Sequence, residues 1–496
     1  MSAEQPVSIE RVSFYNELER RRKRGWISLA ACVAAASGLG FVMSTTITPL
    51  MLLLCGGLLK LAVMLGVGGG PARAGIAAIH DFSSQVPLRF GALLGSPDQF
   101  QGVTGAFIFV AHLLTFLLPM AVPALLVGVS IWLGLRGLFL RASVVDLIQR
   151  YGARAARTED LEERRLVNVV DEVAIGSGVP SPKLLVVDSL TVNATALGST
   201  PEDAMLLVTR GLLDRLDRDE TEAIMARLVT GLIAGDLHVA GGIIAAFHTL
   251  NFFLTMLSAD PLVGLADARR LALLMVTPRP VAEAVALVRA SLDSSIEPRK
   301  MPDFGRTLGR LPTVARMLLY PWFALFSLVG MLYGIVLFFW FAFFLNLPMR
   351  ALWRNRCYWS DAQTIKLTRA PDAFARALRK VGTADPPGGA EDHTWLFIGA
   401  PVSKGRFFTD SLEAIRALPP ATVARVDRLT AMGAGLPRTS AGNRSWKRMA
   451  ANAVEFLVRL IVLAGFAIML SCVFLLIEAV MIAGLVVGVT LLAVLI

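Results

Sequence analysis

Residues that bind metals or form disulfides are scarce in this chain, which has only five histidines and four cysteines among 496 residues. Cys32, Cys55 and Cys472 lie in apolar stretches, and Cys357 lies in a more polar region. No two cysteines form a C-x-x-C pair, so the spacing argues against a disulfide framework and against a cysteine-based redox motif. This usage is typical of a protein in a reducing compartment.

Charged residues are also few, since Asp, Glu, Lys and Arg make up 17% of the chain, whereas 55% is hydrophobic. This balance argues against an ordinary water-soluble protein and favours a multi-pass membrane protein that also carries a soluble domain. A helix needs about 20 apolar residues to cross a bilayer core. Candidate spans are Trp26–Met43, Ile47–Leu65, Phe107–Leu135, Leu237–Leu257, Met317–Leu347 and Phe456–Ile496.

The net charge of +10 is accompanied by basic residues beside these apolar runs, most densely at residues 20–24, RRRKR. By the positive-inside rule, this cluster places the N-terminus in the cytoplasm, and the basic residues beside later runs place the soluble domain there too. Lipid headgroups explain the charge, so we expect the lipid bilayer as a partner and not nucleic acid. No cleavable signal peptide is evident, so the first run should remain as an anchor in the cell (inner) membrane.

The alternation of charged, apolar and proline-containing stretches predicts the organisation of the chain. We expect a cytoplasmic tail (1–25), a transmembrane hairpin turning near Ser44–Pro49 (26–67), a loop (68–104), a membrane segment broken by Pro119 and Pro123 (105–137), the first half of a soluble domain (138–236), a membrane or buried helix (237–257), a connecting region (258–314), a membrane segment (315–348), the second half of the soluble domain (349–450) and C-terminal membrane segments (451–496).

Local patterns within the soluble domain predict its first elements. We expect a helix over Thr158–Gly176 and strands over Lys183–Asp188 and Ala204–Thr209. A further helix should begin at Asp217, whose carboxylate can cap it, with acidic residues in its first turn.

The most informative segment is Arg218–Asp236, with the sequence RDETEAIMARLVTGLIAGD. It resembles a segment of the HtpX-like and CAAX-prenyl-protease-like membrane zinc metallopeptidases, which are of the gluzincin type. That family usually reads R-D-E-L-x-x-V-x-A-H-E-x-x-H-x-x-N-x-D there. The positions that agree are Arg218, Asp219, Glu220, Ala226 and Asp236.

The residues that carry the chemistry of that family are replaced. Arg227 stands for the first histidine, Leu228 for the glutamate and Gly231 for the second histidine. In an H-E-x-x-H helix, the two imidazoles share one face and bind zinc, while the glutamate takes a proton from the zinc-bound water. A guanidinium has no lone pair for a metal, leucine accepts no proton, and glycine has no side chain. The resemblance therefore implies a peptidase scaffold without zinc and without catalytic residues.

The resemblance covers roughly residues 158–430. The segment LWRNRCYWSDAQTIKLTRAP puts Cys357 where the family has a glutamate as third zinc ligand, and ALPPATVARVDRL puts Leu418 in place of a histidine. Asn193, Asp361 and Arg425 keep the family's letters, so with Asp236 they are candidates for a retained cleft. The implied fold is a multi-pass α-helical membrane protein with a mainly α (α+β) zincin-like metallopeptidase domain.

The function that this resemblance implies is that of a pseudopeptidase. Such a protein would bind or regulate membrane-protein or protease partners in protein quality control, and a homo-oligomer is compatible with it. Asp361 should pair with Arg227, because a carboxylate and a guanidinium can form a bidentate ion pair. Asn193 lies in a segment that pairs with extended peptides in active relatives, so peptide binding by strand addition is a further expectation.

Two other functions fit parts of the sequence. An active membrane metalloendopeptidase would need substituted zinc ligands, for which His238, Cys357 and Asp361 are the candidates. Asp236 and His238 are two residues apart, however, and on a helix they would face different sides. A transporter or channel component is suggested by Glu478 within the last apolar run, because ionisable residues in membrane spans often mark ion pathways.

Overall fold

The computed structural model describes residues 13–67, 69–94, 136–258, 345–382, 391–399 and 418–435, together with isolated positions between these ranges. The chain divides into two compact units. The first contains Met1–Cys32 and Leu135–Ile496, and the second contains Val33–Gly134.

One long helix, α1 (Phe14–Met64), replaces the hairpin that the sequence predicts over 26–67. The predicted turn near Ser44–Pro49 is wrong, because the backbone stays helical there. A proline inside a helix removes one backbone hydrogen bond, and a helix of 51 residues retains most of the others. The chain turns instead after Met64, where Gly66 has a φ of 74° and the N–H of Val67 donates to the carbonyl of Ala62 at 2.8 Å.

The predicted loop over 68–104 is also wrong in its first part, since α2 spans Gly69–Leu94. Pro71 lies in the first turn of α2, where a backbone N–H would have no helical partner in any case. Within the second unit, α2 packs closely on α1, because a Cβ atom at Gly75 would lie 2.9 Å from Leu59 Cδ1.

The charged N-terminal segment is not a free tail from residue 14 onward, which corrects the prediction of a tail over 1–25. Arg21 is buried, and its guanidinium donates to Glu17 Oε1 at 2.7 Å and to Asn355 Oδ1 at 2.8 Å. Arg428 also binds Glu17 Oε1, at 2.9 Å. The start of α1 is therefore part of the first unit, and Arg21 is held by protein groups.

The centre of the first unit is a four-stranded sheet whose strands lie in the order β1-β2-β4-β3. The strands are β1 (Arg154–Ala155), β2 (Lys183–Val187), β3 (Ala194–Leu197) and β4 (Met205–Thr209). β2 and β4 are parallel, with Lys183 opposite Met205, whereas β3 is antiparallel to β4 and forms an edge of the sheet. The predicted strands over 183–188 and 204–209 are confirmed to within a residue.

Helices surround this sheet. A helix over 136–150, here α3, precedes β1. It is followed by α4 (Leu161–Ser177), α5 (Arg210–Arg215), α6 (Arg218–Ala234), α7 (Asp236–Ser258), α8 (Asn346–Thr368), α9 (Pro371–Gly382), a 3₁₀ helix (Glu391–Leu396) and α10 (Thr422–Ala431). α6 packs against α4, α8 and α9. The combination of helices with one small sheet confirms the mainly α, α+β part of the predicted fold.

Within the described ranges, no single helix combines the length and the apolar composition needed to cross a membrane. α6 and residues 236–249 of α7 reach that composition together, but they meet at a bend of 73°. Several predicted segments lie outside the described residues. These are most of the spans Phe107–Leu135 and Met317–Leu347, all of Phe456–Ile496 with Glu478, and nearly all of the connecting region 258–314.

Candidate functional site

The helix that contains Arg227, Leu228 and Gly231, α6, has a capped N-terminus. The Asp217 carboxylate accepts the backbone N–H of Glu220 at 2.8 Å, and the Glu220 side chain accepts the N–H of Asp217 at 3.1 Å. This capping box confirms the predicted helix start. Glu220 is buried and also binds the ammonium of Lys380 on α9, at 2.6 Å. The family letters Asp219 and Glu220 thus mark the start of α6, and Glu220 anchors that start to α9.

Arg227 lies in the middle of α6 and is buried, and it binds Asp361 on α8 as the sequence predicts. Its Nε donates to Asp361 Oδ1 at 2.9 Å. Asp361 also accepts two hydrogen bonds from Arg425 on α10, from Nη2 to Oδ1 at 2.7 Å and from Nε to Oδ2 at 2.9 Å. One buried carboxylate is therefore shared by two guanidinium groups, and it joins three helices.

Asp236, the first residue of α7, binds a second set of groups from α8. Arg356 Nε donates to Asp236 Oδ1 at 2.8 Å, and Ser360 Oγ donates to Asp236 Oδ2 at 2.8 Å. Arg227 Nη1 lies 3.5 Å from the same Oδ2. Arg356 also donates to the carbonyl of Ala234 at the end of α6. Asp236 reaches this position because Gly235 ends α6 with a φ of 77° and lets the chain bend.

Gly231 gives the Arg227 guanidinium the space that it occupies. A Cβ atom at position 231 would lie 3.0 Å from Arg227 Nη1 and 3.0 Å from Asp236 Oδ2. Such distances are shorter than ordinary van der Waals contacts, so a side chain at 231 would displace one of the two groups. Arginine at 227 and glycine at 231 are therefore structurally compatible with each other.

A small cleft with a cavity volume of about 50 Å³ lies over this cluster. Arg227, Gly231, Asp236, Cys357 and Arg425 contribute to its lining, while Leu228 and two tryptophans belong to its apolar part. The tryptophans, Trp353 and Trp395, pack edge to face with ring centroids 4.9 Å apart. The charged cluster thus forms one part of a cleft whose remaining lining is largely apolar.

Cys357 and Leu418 are both buried. Burial raises the pKa of the Cys357 thiol to about 11, although Arg227 and Arg425 act in the opposite direction. Leu418 is fully buried, and its carbonyl accepts a hydrogen bond from Arg354 Nε at 3.3 Å.

The residues present do not fit a zinc ion. His238 is exposed on α7, both oxygens of Asp361 accept hydrogen bonds from arginine, and the guanidinium of Arg227 beside them has no lone pair for a metal. Among the residues that the structure describes, no group of three or more His, Cys, Asp or Glu side chains is arranged to hold a metal ion. We therefore assign no step of any reaction to a metal in this cleft.

Asn193 directly precedes β3, and its side chain forms hydrogen bonds within the protein. It is fully buried, its Nδ2 donates to the carbonyl of Gly399 at 2.7 Å, and the N–H of Gly399 donates back to Oδ1 at 3.0 Å. Ile398 N–H donates to the Ala194 carbonyl at 3.0 Å, and Thr195 Oγ1 donates to the Leu396 carbonyl at 3.0 Å. Residues 396–399 thus occupy the edge of β3 next to Asn193, so a peptide added at that point would have to displace them.

Arg356 and Ser360 also belong to the site, although the sequence patterns did not predict them. In the sequence, Arg356 is one of several basic residues that follow an apolar run, and the positive-inside rule explains it without a role in the site. The available signal was spacing: Arg356 and Ser360 are four residues apart on α8 and so share a face. Asp361 follows directly and reaches the neighbouring Arg227.

Comparison with known proteins agrees with the position of the site. Residues 160–259 match the sequence profile of peptidase family M48. A protein named Protease HtpX homolog from Ligilactobacillus salivarius is 25% identical over 268 residues, which cover 54% of this chain and 72% of that protein. The protein of the same name from Dictyoglomus thermophilum is 26% identical over 238 residues, which cover 48% of this chain and 59% of that protein. The one from Pyrococcus furiosus is 32% identical over 130 residues, which cover 23% of this chain and 44% of that protein. No solved structure matches the chain.

Proposed function

The chain is an HtpX-like member of peptidase family M48, and from the arginine that stands in its metal position we infer that it is a non-catalytic homologue, a pseudopeptidase. Its peptidase-like domain binds membrane-protein segments or regulates a partner protease. It does not cleave the segments that it binds. This role needs a stable cleft but neither zinc nor a general base.

The observation that carries this proposal is the ion pair between Arg227 and Asp361, at 2.9 Å. A zinc ion at this place would lie against a guanidinium that is positively charged and has no lone pair. Leu228, next to it, offers no group that could take a proton from water. A hydrolytic mechanism based on this helix therefore has neither its electrophile nor its base.

The arginine–aspartate cluster supplies the cross-links that a metal would otherwise make. Through Asp361 it joins α6, α8 and α10, and through Asp236 it joins α7 to α8. Buried ion pairs of this kind add little net stability compared with apolar packing, but removing one partner costs about 3–5 kcal/mol. The cluster thus keeps the cleft in one arrangement without a metal.

We place the protein in the cell (inner) membrane as a multi-pass protein with its peptidase-like domain in the cytoplasm. The apolar runs of the sequence and the basic residues beside them support this placement. Cysteine-accessibility labelling in intact cells tests it. A cysteine introduced at exposed position 175 of α4 should react only after the membrane is permeabilised, and labelling from outside would contradict the cytoplasmic orientation.

Zinc content and proteolysis test the proposed function together. Detergent-purified protein without a histidine tag should contain zinc well below one atom per chain, and it should bind fluorescently labelled reduced casein without cleaving it. About one zinc per chain, lost in Cys357→Ala, with casein cleavage that 1,10-phenanthroline stops, would show an active peptidase with substituted ligands instead.

A further inference from the structure

One side of the N-terminal segment (residues 14–28 of α1) packs against the protein. Glu17, Arg21 and Ser28 are buried, and they lie four and seven residues apart, a spacing that puts side chains on one side of a helix. Arg21 Nη1 donates to Asn355 Oδ1 of α8 at 2.8 Å, and Asn355 Nδ2 donates to Ser28 Oγ at 3.4 Å. These contacts fix which side of the segment faces the protein and which side faces away.

The same buried side also holds α10. Glu17 Oε1 accepts hydrogen bonds from Arg21 Nε at 2.7 Å and from Arg428 Nη1 of α10 at 2.9 Å. Both guanidinium groups lie over the ring of Tyr358 on α8, with Cζ of Arg428 3.6 Å and Cζ of Arg21 4.7 Å from the ring centroid, which are cation–π distances. The N-terminal segment therefore contacts both α8 and α10, two of the three helices that share the central carboxylate of the cleft.

The remaining sides of the N-terminal segment are exposed and basic. The exposed basic residues are Arg20, Arg22, Lys23 and Arg24. Glu19 is the only acidic residue among positions 18–25, and its pair with Lys23, at 3.4 Å, is 71% and 76% exposed on its two sides, so it contributes little. Four positive charges and one negative charge leave a net charge of +3 on this surface.

Exposed apolar side chains directly follow the basic ones. Trp26 is 67% exposed and Ile27 is 69% exposed. Trp26 lies four residues after Arg22, and Ile27 lies four residues after Lys23, so each apolar side chain is next to a basic one on the helix surface. Basic residues beside an exposed tryptophan are typical of a helix at a lipid surface, where cations bind headgroup phosphates and the indole lies at headgroup level. A dissolved anion would contact the basic residues but not the apolar ones.

We propose that the exposed side of the N-terminal segment binds the headgroups of anionic phospholipids. Arg22 and Lys23 donate to the lipid phosphates, and the indole of Trp26 lies in the headgroup layer. Arg21 takes no part, because its guanidinium is buried against Glu17 and α8. Since the opposite side of the same segment holds α8 and α10, bound lipid also stabilises these two helices. This inference rests on the membrane placement given with the proposed function, and it names the lipid class involved.

The test compares the full chain in nanodiscs of phosphatidylcholine alone with nanodiscs of three parts phosphatidylcholine to one part phosphatidylglycerol. Hydrogen–deuterium exchange is followed by mass spectrometry. Residues 14–28 and α10 should exchange at least about fivefold more slowly with phosphatidylglycerol, which is the contribution of a single Lys or Arg near an anionic surface. In the double variant Arg22→Gln, Lys23→Gln, this difference should fall below about twofold.

The matched control is the double variant Arg164→Gln, Arg165→Gln, which removes two positive charges at adjacent exposed positions of α4. It should retain the full difference between the two kinds of nanodisc. Equal loss of the difference in the control would show a general effect of net charge and would contradict a site on α1.

Equal exchange of the unmutated protein in the two kinds of nanodisc would overturn the proposal, whether or not the variant at Arg22 and Lys23 folds. Slower exchange in phosphatidylcholine nanodiscs after addition of sodium phosphate, at the concentration of the phosphatidylglycerol, would assign the site to a free anion and overturn the lipid part. The membrane placement is read independently by labelling at position 175, so its failure is distinguishable from a failure of lipid binding.

Discussion

Gly231 and Arg227 lie one helical turn apart on α6, and a Cβ atom at 231 would come within 3.0 Å of Arg227 Nη1. At these two positions the metallopeptidase family that the sequence resembles has its two zinc-binding histidines. The two residues are therefore sterically linked: the absence of a side chain at 231 leaves the space that the Arg227 guanidinium fills.

A side chain at 231 should be more harmful while Arg227 is present. We expect Gly231→Ala to lower the free energy of unfolding by about 1–2 kcal/mol through overpacking. In the Arg227→Gln background, the same change should cost less, because only the close contact with Asp236 Oδ2 remains and alanine favours a helix over glycine by about 1 kcal/mol. Urea unfolding followed by circular dichroism measures this double-mutant cycle.

The control for that cycle is Gly176→Ala at an exposed site of α4, where no atom lies within 4 Å of the added Cβ. It should stabilise the protein by about 0.5–1 kcal/mol in both backgrounds. If Gly231→Ala has the same effect with and without Arg227, the two residues are not coupled.

Asp361 should be more important for stability than either of its arginines. Asp361→Asn leaves two buried guanidinium groups without their counter-ion, so we expect it to lower the free energy of unfolding by about 3–5 kcal/mol. Asp214→Asn, which removes a carboxylate from the exposed pair with Arg210, should cost less than about 1 kcal/mol. Thermal unfolding of both variants in the same detergent gives the comparison, and equal costs would show that the cluster is not a structural cross-link.

Exchanging the charges of Arg227 and Asp361 should restore only part of the lost stability. Arg227→Glu and Asp361→Arg would each destabilise the protein, and the double variant would recover the direct pair. Arg425, which donates to Asp361 at 2.7 and 2.9 Å in the unmutated protein, would then face an arginine at that position, so the recovery should be incomplete. Strictly additive costs of the two single changes would contradict the pairing of these residues.

Stability should fall in acid partly through Glu163, at the start of α4. Hydrogen bonds from Arg154, at 2.7 and 2.9 Å, hold the pKa of this buried carboxyl below its usual range, against the effect of burial. Because the folded pKa is depressed, the stabilisation is present above the unfolded pKa of about 4.3 and is lost as the pH falls through the folded value. The free energy of unfolding of the unmutated protein should therefore exceed that of Glu163→Gln near pH 5, and the difference should shrink as the pH falls towards about 2. Urea unfolding at each pH measures this difference.

The control is Glu162→Gln, one residue away, where the side chain is exposed and pairs with Arg165 on the surface. Its stability relative to the unmutated protein should change little over the same pH range. A pH-independent difference between the unmutated protein and Glu163→Gln would mean that ionisation of Glu163 contributes nothing.

Cys357 should be chemically inert in the folded protein. With its pKa raised to about 11 by burial, its thiolate fraction at pH 8 is on the order of 100-fold below that of an unperturbed cysteine. In a variant with Cys32, Cys55 and Cys472 replaced by alanine, alkylation by iodoacetamide should be slow until urea unfolds the protein. Rapid alkylation of the folded form would show a reactive thiolate and reopen the assignment of Cys357 as a metal ligand.

Local patterns in the sequence were sufficient for the elements around the site. The start of α6 followed from Asp217 and Glu220, because helix capping depends on residues only three positions apart. The strands β2 and β4 followed from short apolar runs. The ion pair between Arg227 and Asp361 also followed, since a known family pattern placed the two positions together. The turn near Ser44–Pro49 was wrong, because proline and threonine mark turns only on average and a long helix can contain them.

The sequence by itself determined that positions 227, 228 and 231 offer no zinc ligand and no general base. Arginine, leucine and glycine at 227, 228 and 231 cannot bind zinc or move a proton in any fold, since these limits belong to the side chains themselves. Only the tertiary structure decided what replaces that chemistry. Arg425, Arg356 and Ser360 come from distant parts of the chain, and the packing of α6, α7, α8 and α10 brings them to the two aspartates.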